Sequence, residues 1–279
     1  MPVIDLHCHT SSSDGTLSPR ELVERAKADG ADVIAVTDHD TVDGIAEAVS
    51  HGGQVGVRVV PGIELSCYEG RSVHMLGYFI DPSSRLLLDE LDLLKESRVN
   101  RARRMVERLN ELGYELTFDD VRKQSEGDVL ARPHLARALV ARGYIAEVRD
   151  AFTPELIGDG GRADVIKRSP TPKDGIALIR SVGGVAVIAH AAVGHHEGPN
   201  RSVPIALLEE LAAVGLTGIE ADHPDHPEYI RRELRELAER LGLVVIGGSD
   251  FHGDLEHRVG NCTTSAEALE ALEAASAAT

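Results

Sequence analysis

Short apolar runs alternate with helical patterns in the first part of the chain. Two runs rich in Val and Ile, at residues 3–7 and 33–37, have the pattern of buried strands. Between them, Ser18 can cap a helix, Pro19 fits its first turn and Glu21 can complete a capping box. Two further strands are predicted at residues 58–60 and 73–76. This strand–helix–strand rhythm predicts a parallel sheet, which can close into a barrel.

The pattern changes after Asp81-Pro82. Residues 86–151 are highly charged, and apolar side chains such as Leu93, Met105 and Leu109 recur at roughly helical spacing. We interpret this stretch as a helical subdomain inserted into a domain formed by residues 1–85 and 152–279. The alternative is that these helices are long crossover connections of the barrel itself.

The α/β rhythm resumes in the second half of the chain. Buried strands are predicted at residues 184–190, 217–220 and 243–247. An amphipathic helix at residues 229–241 separates the last two, and residues 265–279 have the pattern of a surface helix. The sequence therefore predicts an α/β fold.

Composition and charge narrow the class of protein. A chain of 279 residues can form one large domain, and its net charge of −17 disfavours long duplex nucleic acid and anionic membranes as partners. A compact phosphate site remains compatible with that charge, because bound cations can outweigh nearby carboxylates. Three cysteines without paired spacing and no apolar run of membrane-spanning length predict a cytoplasmic protein. The oligomeric state stays open.

Histidines and acids recur where the predicted strands end. His7 and His9 are two residues apart on a strand, so both imidazoles can face one ion. The remaining members of this group are Asp14, His39, Glu64, His74, His190, Asp250 and His252. A single histidine of this kind is usually a structural, hydrogen-bonded residue. Recurrence at almost every strand end favours a site for Mn²⁺, Fe²⁺ or Zn²⁺, which imidazole and carboxylate ligands suit.

Four motifs resemble the successive motifs of the PHP (polymerase and histidinol phosphatase) family, in the family's order. They are His7-x-His9 with Asp14-Gly15, Thr37-Asp38-His39-Asp40, Pro61-Gly62-Ile63-Glu64 and Ser249-Asp250-Phe251-His252. The resemblance spans nearly the whole chain. It implies a distorted (β/α)7 barrel that holds three divalent ions, and a metal-dependent phosphoesterase activity.

The resemblance also implies which residues bind each ion. The three ligand sets are His7, His9, Glu64 and Asp250; Glu64, His74 and His190; and Asp14, His39 and His252. All nine positions carry an acceptable ligand type, so nothing indicates a degenerate copy.

Three further segments resemble one branch of the family, which has an inserted helical domain. They are Ala131-Arg132-Pro133-His134, residues 160–165 and Gly218-Ile219-Glu220 with His223-Pro224. That branch contains 3′,5′-bisphosphate nucleotidases and 5′–3′ exoribonucleases that act on short RNA. By resemblance, Arg132 and His134 would hold the substrate phosphate, and His223 would lie on the nucleoside side.

Several assignments stay open. The planar fork of Arg132 suits a phosphate, but a salt bridge on a helix surface explains an arginine there equally well. Arg162 stands where the branch often has an apolar residue or proline, and it either adds a phosphate contact or is a solvated charge. Glu220 either touches substrate or supports a metal ligand. For Lys167 we expect a solvated loop charge, and for His195, His196 and His226 loop positions without a role.

The implied reaction is hydrolysis of nucleotide phosphomonoesters or 5′–3′ trimming of short RNA. A hydroxide bridging two ions would attack in line while Arg132 and His134 neutralise the phosphoryl oxygens. His223 and Asp14 are the candidates for assisting the leaving group. The alternatives are a phosphatase of the histidinol-phosphate type, a hydrolase of cyclic C–N bonds, which would need a ligand lysine not found here, and a non-enzymatic scaffold.

Overall fold

The computed structural model describes residues 1–192, 203–253 and 258–278. Over these residues the strands are β1 (Ile4–Cys8), β2 (Val33–Val36), β3 (Arg58–Tyr68), β4 (Ser72–Tyr78), β5 (Val185–Ile188), β6 (Leu216–Asp222) and β7 (Val244–Gly247). The helices are α1 (Pro19–Asp29), α2 (Ile45–Val55), α3 (Arg85–Glu111), α4 (Phe118–Arg122), α5 (Arg132–Ala141), α6 (Pro172–Ser181), α7 (Ile205–Ala213), α8 (Glu228–Leu241) and α9 (Ala266–Ala277), with a short 3-10 helix at Val148–Ala151. None of these helices is both long and apolar enough to cross a membrane.

The strands of the described chain form one sheet in the order β1 to β7. β1–β2–β3 and β5–β6–β7 pair in parallel, but β4 is antiparallel to both β3 and β5. The prediction that the fourth strand continues a parallel series was therefore wrong. β3 extends to Tyr68, and the turn at residues 69–71 is far too short for the crossover that a parallel pair needs.

The two edges of the sheet approach each other, which curls the sheet into a barrel. Phe251, just after β7, forms a parallel bridge with Cys8, and the Phe251 carbonyl accepts a 2.9 Å hydrogen bond from the His9 amide. The Thr264 amide donates to the Ile4 carbonyl at 2.9 Å. The predicted α/β class with a distorted (β/α)7 barrel is confirmed.

Apolar side chains fill the barrel and separate it from its helices. One cluster lies inside and includes Leu6, Leu76 and Tyr78, with Leu272 of α9 packed against it. Helix α9 is a surface helix, as predicted, and its buried face, with Leu269 and Leu272, covers strand residues of this cluster. A larger cluster packs α1, α2 and α6 to α8 against the outer face of the sheet. Burial of this area is the main stabilising contribution to the fold.

The helical segment between β4 and α6 has an apolar cluster of its own. It contains Met105 and Leu109 of α3 and Leu139 of α5, and it continues to Val165. The division at residues 86 and 151 stays a prediction, and the packing extends past its second boundary.

A buried ion cluster joins this segment to the barrel. Asp40 follows β2, and its Oδ2 accepts from Arg98 Nε of α3 at 2.6 Å and from Lys167 Nζ at 2.9 Å. Its Oδ1 accepts from the Ser66 amide of β3 at 2.7 Å. The two cations hold the pKa of Asp40 well below its usual value, although burial alone would raise it. Since a buried ion pair is costly to break, this contact fixes the helical segment beside the strand ends.

We expect Asp40→Asn to lower the free energy of unfolding by about 3–5 kcal/mol, because Arg98 and Lys167 are then left buried without a counter-charge. Urea unfolding followed by circular dichroism measures this change. The exposed Asp43 provides the matched control, with an expected effect of Asp43→Asn within about 0.5 kcal/mol. Equal stability of the two variants would contradict the role of the cluster.

Candidate metal centre and phosphate site

The fully buried carboxylate of Glu64, on β3, is the centre of the site. Imidazoles from five different chain positions surround it. Its Oε1 lies 2.8 Å from His74 Nδ1 and 2.9 Å from His190 Nε2. Its Oε2 lies 3.1–3.3 Å from a ring nitrogen each of His39, His9 and His7. Imidazoles on β1 and β4 and just after β1, β2 and β5 therefore converge on one carboxylate of β3.

The first implied ligand set is assembled. Ligand atoms of His7, His9, Glu64 and Asp250 lie within 4.8 Å of one another. Asp250 Oδ1 is 3.2 Å from His7 Nε2 and 3.1 Å from His9 Nε2. The extended chain from His7 to His9 places both imidazoles on one side, as their spacing predicted.

The set around Asp14 is also assembled. Its carboxylate lies 3.4 Å from His252 Nε2 and 3.8 Å from His39 Nε2. Ligand atoms of these three residues and of His9 lie within 4.8 Å of one another, so His9 faces two of the groups.

The remaining set depends on the direction of β4. His74 lies near the start of this antiparallel strand, at the same edge of the sheet as the ends of the parallel strands. His74 and His190 both face Glu64 Oε1, and their rings are 5.1 Å apart. His39 can join Glu64 and His74 in a further group.

Unpaired buried atoms show that these residues suit divalent ions. Both ring nitrogens of His9, one each of His7 and His39, and Oε2 of Glu64 are buried without a hydrogen-bond partner in the described part of the chain. Buried polar atoms without partners are costly, and ions ligated by these atoms would remove that cost. The donor set fits such ions, since imidazole and carboxylate are ligands of Zn²⁺, Mn²⁺ and Fe²⁺.

The carboxylates of the site remain ionised. Burial alone would raise the pKa of Glu64, but His39, His74 and His7 hold it well below its usual value. The same balance lowers the pKa of Asp14, through His39 and His252, and of Asp250, through His7 and His252. Anionic oxygens are the form that binds a divalent cation.

Local backbone strain accompanies the site. His190 has φ 22° and Asp250 has φ 50°, although neither is glycine. Non-glycine residues in the left-handed region cost of the order of 1–3 kcal/mol each and persist where the surroundings fix them. Here the strain lies at two of the residues that face the candidate ions.

Glu220 of β6 supports the ligands and does not face the open side of the site. Its buried Oε1 lies 2.9 Å from His7 Nδ1, and its Oε2 accepts from the His190 amide at 2.7 Å. A carboxylate on the outer nitrogen of a metal-binding imidazole fixes its tautomer and orientation. Of the two roles open from the sequence, the structure therefore supports this one.

Other supporting residues were missed by the sequence analysis. Buried Asp38 accepts from the Thr10 amide at 2.8 Å, the Thr10 hydroxyl at 2.6 Å and the Ser13 hydroxyl at 2.6 Å, which fixes the loop that carries Asp14. Buried Asp5 accepts from the Ser249 amide at 2.9 Å. The acidic residues beside the ligand histidines were a usable signal, but only the fold shows which loops they hold.

The helical segment contributes side chains to the rim of the site. His134 is buried, and its Nδ1 accepts from the Ala131 amide at 2.9 Å. The Arg137 guanidinium donates to the carbonyl of Asp14 at 3.3 Å. Arg132 begins α5 and pairs with Asp159, so it is a paired arginine at a helix end.

Two further predicted residues, His223 and Arg162, have distinct surroundings. His223 Nε2 lies 3.4 Å from Asp250 Oδ2, and its Nδ1 accepts from the Asp225 amide at 3.1 Å. Arg162 is exposed, and its side chain has no partner within the described ranges. The structure thus brings His223 to the candidate ligands but leaves Arg162 on the surface.

One expectation from the sequence was wrong, and another was incomplete. Lys167 is no solvated charge, because its ammonium group is largely buried against Asp40. His226 is buried and satisfied, since its Nδ1 lies 2.9 Å from the Ala221 carbonyl and its Nε2 3.3 Å from the Ala192 amide. His226 lies in the loop between β6 and α8, as expected, and its contact with Ala192, like that of Lys167 with Asp40, joins segments distant in sequence. His195 and His196 lie outside the described residues.

Comparison with known proteins identifies the class. A solved structure of a proposed metal-dependent phosphoesterase from Bifidobacterium adolescentis matches with a TM-score of 0.90 and 34% identity, covering 98% of this chain and 96% of that one. The family model described as the PHP domain matches residues 5–151. Fold and site thus define a metal-dependent phosphoesterase. The chain belongs to the PHP family.

Three similar proteins of known activity act on phosphate esters. A 3′,5′-nucleoside bisphosphate phosphatase of Chromobacterium violaceum is 34% identical over 90% of this chain and 88% of its own. A 5′-3′ exoribonuclease of Haemophilus influenzae is 34% identical over 89% of each chain. A phosphoribosyl 1,2-cyclic phosphate 1,2-diphosphodiesterase of Eggerthella lenta is 33% identical over 89% of this chain and 94% of its own. The predicted resemblance to the PHP family, and to its nucleotide-acting branch, is confirmed.

We expect Glu220→Gln to weaken Mn²⁺ affinity by about 10–100-fold, because the charge that orients His7 is removed while the shape is kept. Titration calorimetry on metal-stripped protein measures the affinity. Glu47→Gln, on the exposed face of α2, is the matched control and should bind as the wild type does. Unchanged affinity in Glu220→Gln would show that His7 is oriented by other contacts.

Proposed function

We propose that the protein hydrolyses phosphate esters of nucleotides, either 3′,5′-bisphosphate nucleotides and nucleoside monophosphates or the 5′ end of short RNA. The observation that carries this proposal is a buried group of imidazole and carboxylate atoms without hydrogen-bond partners in the described chain, with Arg137 on the Asp14 carbonyl and buried His134 from the same helix. The two nucleotide-acting relatives support the substrate class.

The ligand assignment is part of the proposal. Three divalent ions would be held by the sets around Glu64, Asp14 and Asp250, with Glu64 shared between two of them. When bound, ions of this kind polarise phosphoryl oxygens and lower the pKa of a water molecule towards neutrality.

His134 would act as a hydrogen-bond donor to the substrate phosphate. Its Nδ1 accepts from the Ala131 amide, so the proton of the neutral ring is on Nε2. Burial, followed by the charge of Arg137, lowers the pKa of His134 to about 4. At neutral pH the ring therefore donates a hydrogen bond without carrying a charge.

Arg132 and His223 would act on opposite sides of the reacting group. The guanidinium of Arg132 can give a phosphate two parallel hydrogen bonds. The Nδ1 of His223 accepts from the Asp225 amide, which leaves Nε2–H directed at Asp250 and able to reach a leaving oxygen beside it. Asp14 is the second candidate for assisting the leaving group. Arg162 remains a proposed phosphate contact that a longer substrate could reach.

The proposal also includes a cytoplasmic location and a division into a barrel and a helical subdomain. The three cysteines are free and buried, as expected of a cytoplasmic protein. The helical subdomain of residues 86–151 would cover the mouth of the barrel formed by residues 1–85 and 152–279, as Arg137 on the Asp14 carbonyl indicates.

The test is phosphate release and product analysis with Mn²⁺-loaded protein on adenosine 3′,5′-bisphosphate, AMP and a short 5′-phosphorylated RNA. We expect turnover of at least the bisphosphate or the RNA, and loss of turnover in His7→Ala with the circular dichroism spectrum retained. No reaction on any of the three substrates by protein with bound metal would overturn the substrate class.

Arg132→Ala should lower kcat/KM by about 10–100-fold, since a charge-assisted hydrogen-bond pair to the phosphate is lost. Arg142→Ala, at the other end of the same helix, is the matched control, because the ion pair of Arg142 within the described residues is with Asp120. Parallel losses in both variants would point to damage to α5 and not to a phosphate contact.

A further inference from the structure

One edge of the Arg132 guanidinium is already occupied, and the other is open. Nη1 contacts the Asp159 carboxylate and lies 3.4 Å from the Ile157 carbonyl. Within the described residues, Nε and Nη2 have no hydrogen-bond partner. These two groups form the parallel N–H pair that matches two oxygens of a phosphate.

The segment that carries Asp159 is held in place by its backbone. The Gly158 amide donates to the Thr153 carbonyl at 3.0 Å, and the Ala163 amide donates to the Leu156 carbonyl at 2.9 Å. Ile157 and Ala163, on either side of Asp159, are fully buried. The loop therefore presents the carboxylate from a fixed position.

Glycines are required for this loop. Gly160 has φ +69°, and a Cβ on Gly161 would lie 2.6 Å from the Leu156 carbonyl oxygen. The glycine-rich motif noted in the sequence is thus explained by the loop that presents Asp159, with its second acid, Asp164, binding Arg101 at 2.7 Å.

The Asp159–Arg132 pair is partly open to solvent. The side chain of Asp159 is 61% exposed and that of Arg132 20%. An ion pair so open to solvent contributes little to stability, so holding the fold does not account for it.

We infer that Asp159 is a positioning residue, which holds Nη1 of Arg132 so that Nε and Nη2 receive a phosphate group of the substrate as a bidentate pair. This inference rests on the proposed function, and it identifies Asp159 as the residue that orients Arg132 towards a phosphate. Asp159 touches no substrate; it acts through the orientation of Arg132.

A double-mutant cycle tests the inference with adenosine 3′,5′-bisphosphate and Mn²⁺-loaded protein. Asp159→Asn should raise KM about tenfold and leave kcat and the melting temperature close to the wild-type values. In the Arg132→Ala background, Asp159→Asn should not raise KM further, because the guanidinium through which Asp159 acts is absent. Asp128→Asn, an exposed acid of the same helical segment, is the matched control.

An unchanged KM in Asp159→Asn, or an equal rise in both backgrounds, would overturn the inference. Titration calorimetry of the bisphosphate with metal-free protein separates this result from failure of the proposed function. If the wild type releases no phosphate, weaker binding by Asp159→Asn that disappears in the Arg132→Ala background still supports the positioning role. Equal binding by wild type and Asp159→Asn refutes it.

Discussion

The fold is organised around one buried carboxylate. Glu64 is fully inaccessible and is surrounded by imidazoles from β1, β4 and the ends of β2 and β5. An isolated ionised carboxylate in this place would cost several kcal/mol, so positive charge or metal must accompany it. The convergence of strand ends supplies the ligands, and the antiparallel β4 supplies His74 from the opposite chain direction. The strand order and the direction of β4 thus determine which side chains surround Glu64.

A second buried carboxylate joins the catalytic edge to the helical segment. Asp40 follows His39 directly and holds Arg98 of α3 and Lys167 beyond the segment's apolar cluster. The segment that carries the candidate ligand His39 therefore also anchors the helical segment that carries Arg132 and His134. In a protein of net charge −17, an anionic substrate depends on such local cations.

Comparison of prediction and structure shows where local patterns suffice. The capping box of Ser18 and Glu21 and the helix at residues 229–241 were predicted correctly, because their signals are local in sequence. The direction of β4 was not, although the short turn containing Gly70 was a usable signal. Lys167 was misjudged, and the burial of the loop residue His226 was not foreseen, because the partners Asp40 and Ala192 lie in distant parts of the chain.

The sequence by itself determined the α/β class, the ligand types and their order along the chain, since strand periodicity and motif spacing are local properties. Tertiary structure alone decided which candidate ligands lie together, that Glu220 contacts the imidazole of His7, and that Asp159 pairs with Arg132. These relations depend on distances between segments more than 20 residues apart, which residue patterns do not encode.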